Sequence, residues 1–235
     1  KRIKKNNTLV QKYYVRGFVY KSLLALGFAL LMYGYYGIGD TMHFFSDALF
    51  LKQRIADGDE NIGVIFKSNA YIRSTYDILG GGQESGWLVV RIALLLSYLS
   101  FSRFLVVTLF FAALAYSGIF KLFETFSSFM PKWQKWIALI ILFFPSITFF
   151  GSGILKDTVC LSSLGWFFYS GNEFFIKKQF KLKHILIIAI TAWIIYVVKI
   201  YILAAFLVPY LIFLLNRPLK KIPSVALRWL FLPVL

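Results

Sequence analysis

Seven of the ten acidic residues fall in one stretch, Gly39 to Gly86, and the long apolar runs around it are punctuated by Lys and Arg. The stretch carries Asp40, Asp47, Asp57, Asp59, Glu60, Asp77 and Glu84 against four cations, Lys52, Arg54, Lys67 and Arg73. Every other part of the 235 residues is basic, with only Glu124, Asp157 and Glu173 as acids. At 59% apolar and 20% aromatic residues, with a mean hydropathy of +0.71, a soluble domain of this length cannot enclose its own apolar surface. So many aromatics also exclude a disordered chain. What remains is an all-α, polytopic transmembrane helical bundle, in which excess Lys and Arg mark the cytoplasmic side. The net charge of +16 is then a topology signal, and no nucleic-acid partner is implied.

Counting cations sets the expected path. A basic cytoplasmic tail, residues 1–17, precedes a first span over 18–38. The tail and the run that follow resemble a signal peptide, but the run is about 20 residues long and lacks a small-residue cleavage site, so a retained span is expected. The acidic stretch lies on the opposite side, within a long outer loop over 39–103. The next apolar stretch, Trp87 to Phe123, is broken by Ser100-Phe101-Ser102-Arg103. If both halves crossed, the cluster Lys121, Lys132 and Lys135 would face outward. Trp87–Ser100 is therefore expected to lie on or dip into the outer leaflet, with 104–123 crossing inward. Spans over 136–150 and 158–175 follow, joined by an outer turn at Gly151–Asp157. Lys177, Lys178, Lys181 and Lys183 on one side, and Arg217, Lys220, Lys221 and Arg228 on the other, flank 185–215. As one helix that stretch would measure roughly 46 Å, against a hydrocarbon core of about 30 Å, so a hairpin turning near Lys199 is expected. The spans occupy 104–216. Residues 217–235 read as a cytoplasmic loop and the start of a further span in a chain that continues.

One cysteine, Cys160, excludes an intrachain disulfide, and it reads as a small buried residue. His43 and His184 are too few and too far apart for a Cys/His metal cluster. Gly80-Gly81-Gly82 lacks the Lys-Ser/Thr of a phosphate loop and reads as a hinge in a mobile loop. The charged residues expected at membrane level on the outer face are more informative: Asp40 after span one, Lys156-Asp157 in the second outer turn, and Lys199 in the third. Ionisable groups at that depth are costly and so are candidates for function. Each also has a plainer reading. Asp40 suits the cap of a surface helix over 41–55, whose apolar side carries Phe44, Phe45, Ala48, Leu49, Leu51 and Ile55. Lys156-Asp157 suits an interfacial charge pair. Lys199, Arg91 and Arg103 suit snorkelling cations, although the two arginines could equally bind a phosphate. His43 suits a solvated loop position and His184 an interfacial one.

At these residues the chain resembles the GT-C superfamily of integral-membrane glycosyltransferases. The segment Gly39-Asp40-Thr41-Met42-His43-Phe44-Phe45-Ser46-Asp47-Ala48 is similar to that family's first-loop Asp followed by an aromatic, small-residue helix. Pro145-Ser146-Ile147-Thr148-Phe149-Phe150-Gly151-Ser152-Gly153-Ile154-Leu155-Lys156-Asp157 resembles its span-ending Pro and second-loop acid. It is especially similar to the P-S-x-x-F-x-x-S-G-x-x-K-D pattern of bacterial membrane proteins of surface-polysaccharide synthesis. Lys199 followed by Pro209 is weakly like the family's lysine in a later outer turn.

The resemblance covers about residues 18–216. It departs where Glu84-Ser85-Gly86-Trp87 stands in place of a His-Pro-Pro-like helix start. It departs again where one acid preceded by Lys replaces the paired acids of some relatives, which leaves a divalent cation less firmly supported.

The resemblance implies a GT-C-like fold and a glycosyltransferase or polysaccharide polymerase in a bacterial inner membrane. The donor would be a polyprenyl-phosphate-linked sugar and the acceptor a glycan or protein. Asp40 and Asp157 would be the catalytic or acceptor-orienting carboxylates. Lys156, Lys199, Arg91 and Arg103 would face the donor phosphate, with His43 as a contact in the loop. No cofactor is required by the residues themselves. Two other classes stay open: a non-catalytic subunit packed among other membrane subunits, and, third, a lipid or solute transporter. The transporter reading fits poorly with spans almost free of acids and with no visible repeat.

Overall fold

The basic lead and the first apolar run form one continuous helix, α1 (Arg2–Leu31). Its last turn widens into a π-turn over Met32–Tyr36 and stops at Gly37, whose φ of 63° suits a residue without a side chain. The structure, a computed structural model, describes residues 2–219. Of the loop and further span expected over 217–235, residues 217–219 belong to the end of the last helix and the rest, with Lys220, Lys221 and Arg228, lie outside the described residues. Within 2–219 the secondary structure is helical throughout, without a strand.

The acidic stretch folds into short helices. α2 (Asp40–Ala56) follows the amphipathic pattern of its sequence and buries Phe44, Phe45, Ala48 and Leu51. A 3-10 turn over Ile62–Phe66 leads to α3 (Asn69–Thr75), capped by the Ser68 hydroxyl, which accepts from the Tyr71 N–H at 3.3 Å. Next comes α4 (Glu84–Leu99), 16 residues and about 24 Å long. One side of it is enclosed: Trp87, Val89, Val90, Ala93 and Leu94 are fully buried between α2, α5 (Phe104–Phe129), α8 (Lys156–Gly171) and α9 (Leu182–Leu219), while Leu95, Tyr98 and Leu99 are exposed. Its sequence is apolar on nearly every side, which suits a helix that faces protein on one side and an apolar surrounding on the other. The break after it is held from outside, because Lys52 of α2 donates to the Ser97 carbonyl at 3.1 Å and to the Ser102 hydroxyl at 2.8 Å.

α5 and α8 form the axis of the bundle. A Cβ placed on Gly118 would collide with the backbone of Ser162, and one on Gly165 with the backbone of Gly118. The two backbones therefore touch, the close approach that small residues permit between apolar helices. Side chains lock the crossing: the Ser162 hydroxyl donates to the Leu114 carbonyl at 2.8 Å, and the Trp166 indole to Ser117 at 3.0 Å. α1 packs on the other side of α5, where the Tyr116 hydroxyl donates to the Tyr14 carbonyl at 2.6 Å.

The span expected over 136–150 is two pieces, α6 (Gln134–Leu142) and α7 (Pro145–Phe150). Pro145 cannot continue a helix from the preceding turn but can start a new one. Lys21, 1% exposed, reaches from the middle of α1 to the end of α7 and donates to the carbonyls of Thr148 at 2.9 Å and Gly151 at 2.6 Å. These are acceptors that a terminated helix leaves without partners.

After a second π-turn, Asn172–Ile176, α9 begins. It is not straight. The His184 ring lies 6.3 Å from Tyr169, while the Tyr210 ring lies 5.4 Å from Phe168 and its hydroxyl crowds Gly171. In a straight helix His184 and Tyr210 would be about 39 Å apart, so both can reach the same end of α8 only if the chain turns back. The turn is at Lys199, whose φ of −153° and ψ of 82° are non-helical. Three helical segments are long and apolar enough to cross a membrane: Val10–Tyr36, Phe104–Phe129 and Leu182–Ile212, the last of them bent in this way.

The bundle thus has two unlike ends. Val10, Glu124, Gln134, Tyr169 and Lys177 meet at one, here the basic end. Tyr33, Phe104, the short helices, Lys156 and Lys199 share the other, the loop end.

The α5–α8 contact predicts that Gly118→Leu and Gly165→Val each cost at least about 3 kcal/mol, since overpacking with no room to relax reaches that level. Gly27→Ala, where a Cβ meets nothing within 4 Å, leaves stability unchanged or slightly raised. Thermal unfolding and size-exclusion profiles of the detergent-solubilised proteins measure the difference.

Candidate functional site

At the loop end the chain between α7 and α8 descends into the bundle and is fixed there residue by residue. Ser152 donates to the Thr148 carbonyl, and Thr158 to the Gly153 carbonyl at 2.7 Å. Gly153 lies against Phe28 of α1 and the Thr41 hydroxyl of α2, too close for any larger residue. The first turn of α2, which carries Asp40, therefore meets the turn that leads into Lys156-Asp157.

Asp157 sits in the first turn of α8 and pairs with Lys199 at the tip of the α9 fold-back, Nζ to Oδ1 2.5 Å. The Asp157 side chain is 59% exposed and that of Lys199 20%. Beside the pair opens an apolar cavity of about 200 Å³, lined by Ile147, Phe150, Leu161, Leu164 and Ile202, with Cys160 at its wall and Asp157 at its rim. Phe150 and Ile147 are largely exposed there, so the cavity is a side-facing groove. Cys160 is buried, as its residue type suggests, and packs against Leu88 and Val198.

Asp40 is exposed at the start of α2, accepts no hydrogen bond and forms no ion pair among the described residues. The helix is capped by Gly39 and the Asp40 carboxylate bonds no backbone N–H, so capping does not account for this residue. Lys156 reaches the Gln83 amide oxygen at 3.5 Å and lies 5.8 Å from the Phe44 ring centre. It thus joins α8, α2 and the start of α4. His43 is half-buried one turn from Asp40, beside Gly80.

The two arginines are elsewhere. Arg91 lies over the Trp87 ring at 5.0 Å and donates to the Lys67 carbonyl at 2.8 Å, which the Trp87 indole also reaches at 3.1 Å. It thereby ties α4 to the 3-10 turn. Arg103 is exposed at the start of α5, on a separate cleft of about 530 Å³ with Tyr33, Phe45 and Phe104. Asp157, Lys199 and Lys156 thus cluster with Asp40 and His43 at one end, while Arg91 and Arg103 do not join them.

Two features of the outer stretch were not visible in the sequence. Gly80-Gly81-Gly82 is not a free hinge. Asp47, 4% exposed, accepts from three successive backbone N–H groups, Leu79 at 3.1 Å, Gly80 at 2.6 Å and Gly81 at 2.7 Å. The glycines permit close contact, because a Cβ on Gly80 would meet Phe44 and one on Gly86 the Gly80 backbone. The second feature is a carboxylate cage. Glu60 accepts from Lys67 at 2.9 Å and from the Tyr71 and Tyr76 hydroxyls, both at 2.8 Å. The Lys67 ammonium, helped by the two hydroxyls, lowers the Glu60 carboxyl to about 2 despite the burial that opposes ionisation.

Among the described residues, no group of three or more His, Cys, Asp or Glu side chains is placed to hold a metal ion. No family model, curated protein or solved structure matches the chain.

The depressed Glu60 group predicts an acid-labile loop. Its stabilising contribution is full above its unfolded value near 4.5 and is lost as pH falls toward 2. Limited proteolysis between Asp57 and Tyr76 is expected to accelerate over that window in the wild type. Glu60→Gln is expected to be cut faster at neutral pH and to show little further change on acidification.

Proposed function

We propose that the chain is a membrane glycosyltransferase or polysaccharide polymerase of GT-C type, taking its sugar from a polyprenyl-phosphate donor at the loop end. One observation carries this reading: an ion pair, Asp157–Lys199, stands at the rim of a side-facing apolar groove, with an unpartnered carboxylate, Asp40, at the same end. A lipid-linked phosphate needs both a groove for its chain and cations for its head, and the two are adjacent here. The acceptor is a glycan or protein hydroxyl presented from the loop side.

The residues divide the chemistry as follows. The prenyl chain lies against Ile147, Phe150, Leu161 and Ile202. Lys199 and Lys156 face the phosphate. The N-terminal end of α8 adds its own partial positive charge. Asp157 holds Lys199 in place before the donor arrives. Asp40 takes the proton from the acceptor hydroxyl as its oxygen bonds to the anomeric carbon. The bond from that carbon to the phosphate oxygen breaks, and the electron pair leaves with the phosphate, where the ammonium groups stabilise it. His43, one turn along from Asp40, contacts the acceptor.

Asp40→Asn is expected to lower product formation about a hundredfold or more, the usual contribution of a positioned general base. Asp157→Asn and Lys199→Met are expected to weaken use of the donor. The assay is polymer or glycan production in cells at matched protein levels, followed by transfer from defined polyprenyl-phosphate sugars with purified protein. Full activity in both Asp variants sinks the catalytic reading.

A further inference from the structure

The basic end holds a second cavity that the proposed transfer chemistry does not use. It measures about 370 Å³, enough for roughly a dozen waters or one small polar group with its attachments. Glu124 and Ser127 of α5, Gln134 of α6, Tyr169 of α8, and Glu173 and Lys177 of the second π-turn line it. Two of the three acids outside the outer stretch therefore face one small space at the end of the molecule richest in lysine.

Each of these carboxylates is only half engaged. Glu124 receives Lys121 on Oε2 at 2.7 Å, and Glu173 receives Lys177 on Oε1 at 2.5 Å. The other oxygen of each has no donor among the described residues. Ser127, 7% exposed, lines the cavity with a hydroxyl that has no partner. Next to the lining residues Tyr169 and Glu173 the pattern repeats. Asn172, beside Glu173, is 1% exposed with neither amide atom bonded, and the Ser170 hydroxyl and both His184 ring nitrogens are likewise unpartnered and buried. An unmade bond at a buried polar atom costs about 1–3 kcal/mol, so the unpartnered Ser127 hydroxyl in the cavity lining marks a place where something else supplies the partner. Such π-turns are also frequent at functional sites.

Besides Lys177 and the Gln134 amide, the cavity lining offers two carboxylates and the unpartnered Ser127 hydroxyl, which can accept as well as donate. Their natural complement is a compact group with several N–H donors and a positive charge. A bare cation would meet Lys177 in the cavity lining and the field of Lys132, Lys135, Lys178, Lys181 and Lys183, which lie close in sequence to Gln134 and Lys177. An ammonium carried beside a phosphate does not meet that barrier, because the lysines attract the phosphate while the ammonium enters.

We propose that this cavity binds a primary ammonium group, held by Glu124, Glu173 and Ser127, with an adjoining phosphate against the lysine rim. The phosphoethanolamine unit has this chemistry, whether free or as a phospholipid headgroup.

The full chain, purified in detergent, is titrated with an ethanolamine-headgroup phospholipid and with its choline-headgroup counterpart, and binding is read by native mass spectrometry and thermal shift. The trimethylated choline nitrogen has no N–H to donate. The ethanolamine lipid is expected to bind about tenfold more tightly, the scale of one lost charge-assisted hydrogen bond. Glu173→Gln is expected to abolish the preference and Ser127→Ala to reduce it. If Glu173→Gln does not fold, Glu124→Gln and Ser127→Ala carry the same test. Competition by free phosphoethanolamine shows that the headgroup chemistry suffices. A preference that persists without such competition assigns the ligand to the lipid. Equal binding of the two lipids, or a preference untouched in the folded variants, overturns the proposal and leaves the cavity to water.

Discussion

α8 cannot move away from α5 without breaking the structure, because the two helices meet backbone to backbone at Gly118, Ser162 and Gly165. Neither helix has much hydrophobic preference for the other over lipid, so van der Waals contact at close range and the Ser162 and Trp166 hydrogen bonds hold them. Everything of chemical interest hangs on this crossing. The N-terminal turn of α8 presents Lys156 and Asp157, and the π-turn beyond its C-terminal end presents Glu173. One rigid helix thereby sets the positions of two sites about 24 Å apart along its axis.

The descent of the 151–155 turn into the bundle depends on Lys21. An ammonium deep in a candidate span is tolerated only if it is fully engaged. Here its partners are carbonyls freed by the end of α7, which Pro145 starts one turn too late to carry the chain to the surface. Lys21 and the broken helix are therefore mutually dependent: the carbonyls need a donor, and the buried charge needs acceptors. The pair lowers the turn, and the lowered turn brings Gly153 under Thr41 and so places the start of α2 beside the start of α8.

Much of the helical layout was legible in the sequence because it follows from local pattern. The amphipathic order of 41–55 gives α2, and the Ser100–Arg103 interruption separates α4 from α5. The excess length of 185–215 requires the turn at Lys199, the same residue that closes on Asp157. What stayed hidden is non-local. Lys21, at the start of the first span, reads as one more cation following the basic tail, because its partners lie 127 and 130 residues away. Asp47 reads as a polar residue on an amphipathic helix, and nothing in its neighbours announces the glycine loop 32 to 34 residues on. Arg91 in an apolar run has the sequence signature of a phosphate ligand or a snorkelling cation, yet it serves the Lys67 carbonyl. His184 among lysines looks interfacial but is 2% exposed. In each case the polar group is satisfied or stranded by an element the local sequence does not mention.

The three acids outside the outer stretch show how differently a carboxylate can be used. Glu124 with Lys121 and Glu173 with Lys177 are neighbours on the same turn of chain, so these pairs carry no information about tertiary arrangement. Asp157 with Lys199 spans 42 residues and joins the start of one helix to the tip of a fold-back. At 59% exposure the Asp157 side chain gains little stability from the pair, because exposed ion pairs contribute only about 0–1 kcal/mol. Its effect is positional. A lysine facing a helix N-terminus would be repelled by the partial charge there, and Asp157 reverses that balance while remaining accessible. In the proposed reaction an arriving phosphate would have to displace only a partly exposed ion pair to reach Lys199. A buried pair in the same place would hold Lys199 more firmly and leave it unable to respond.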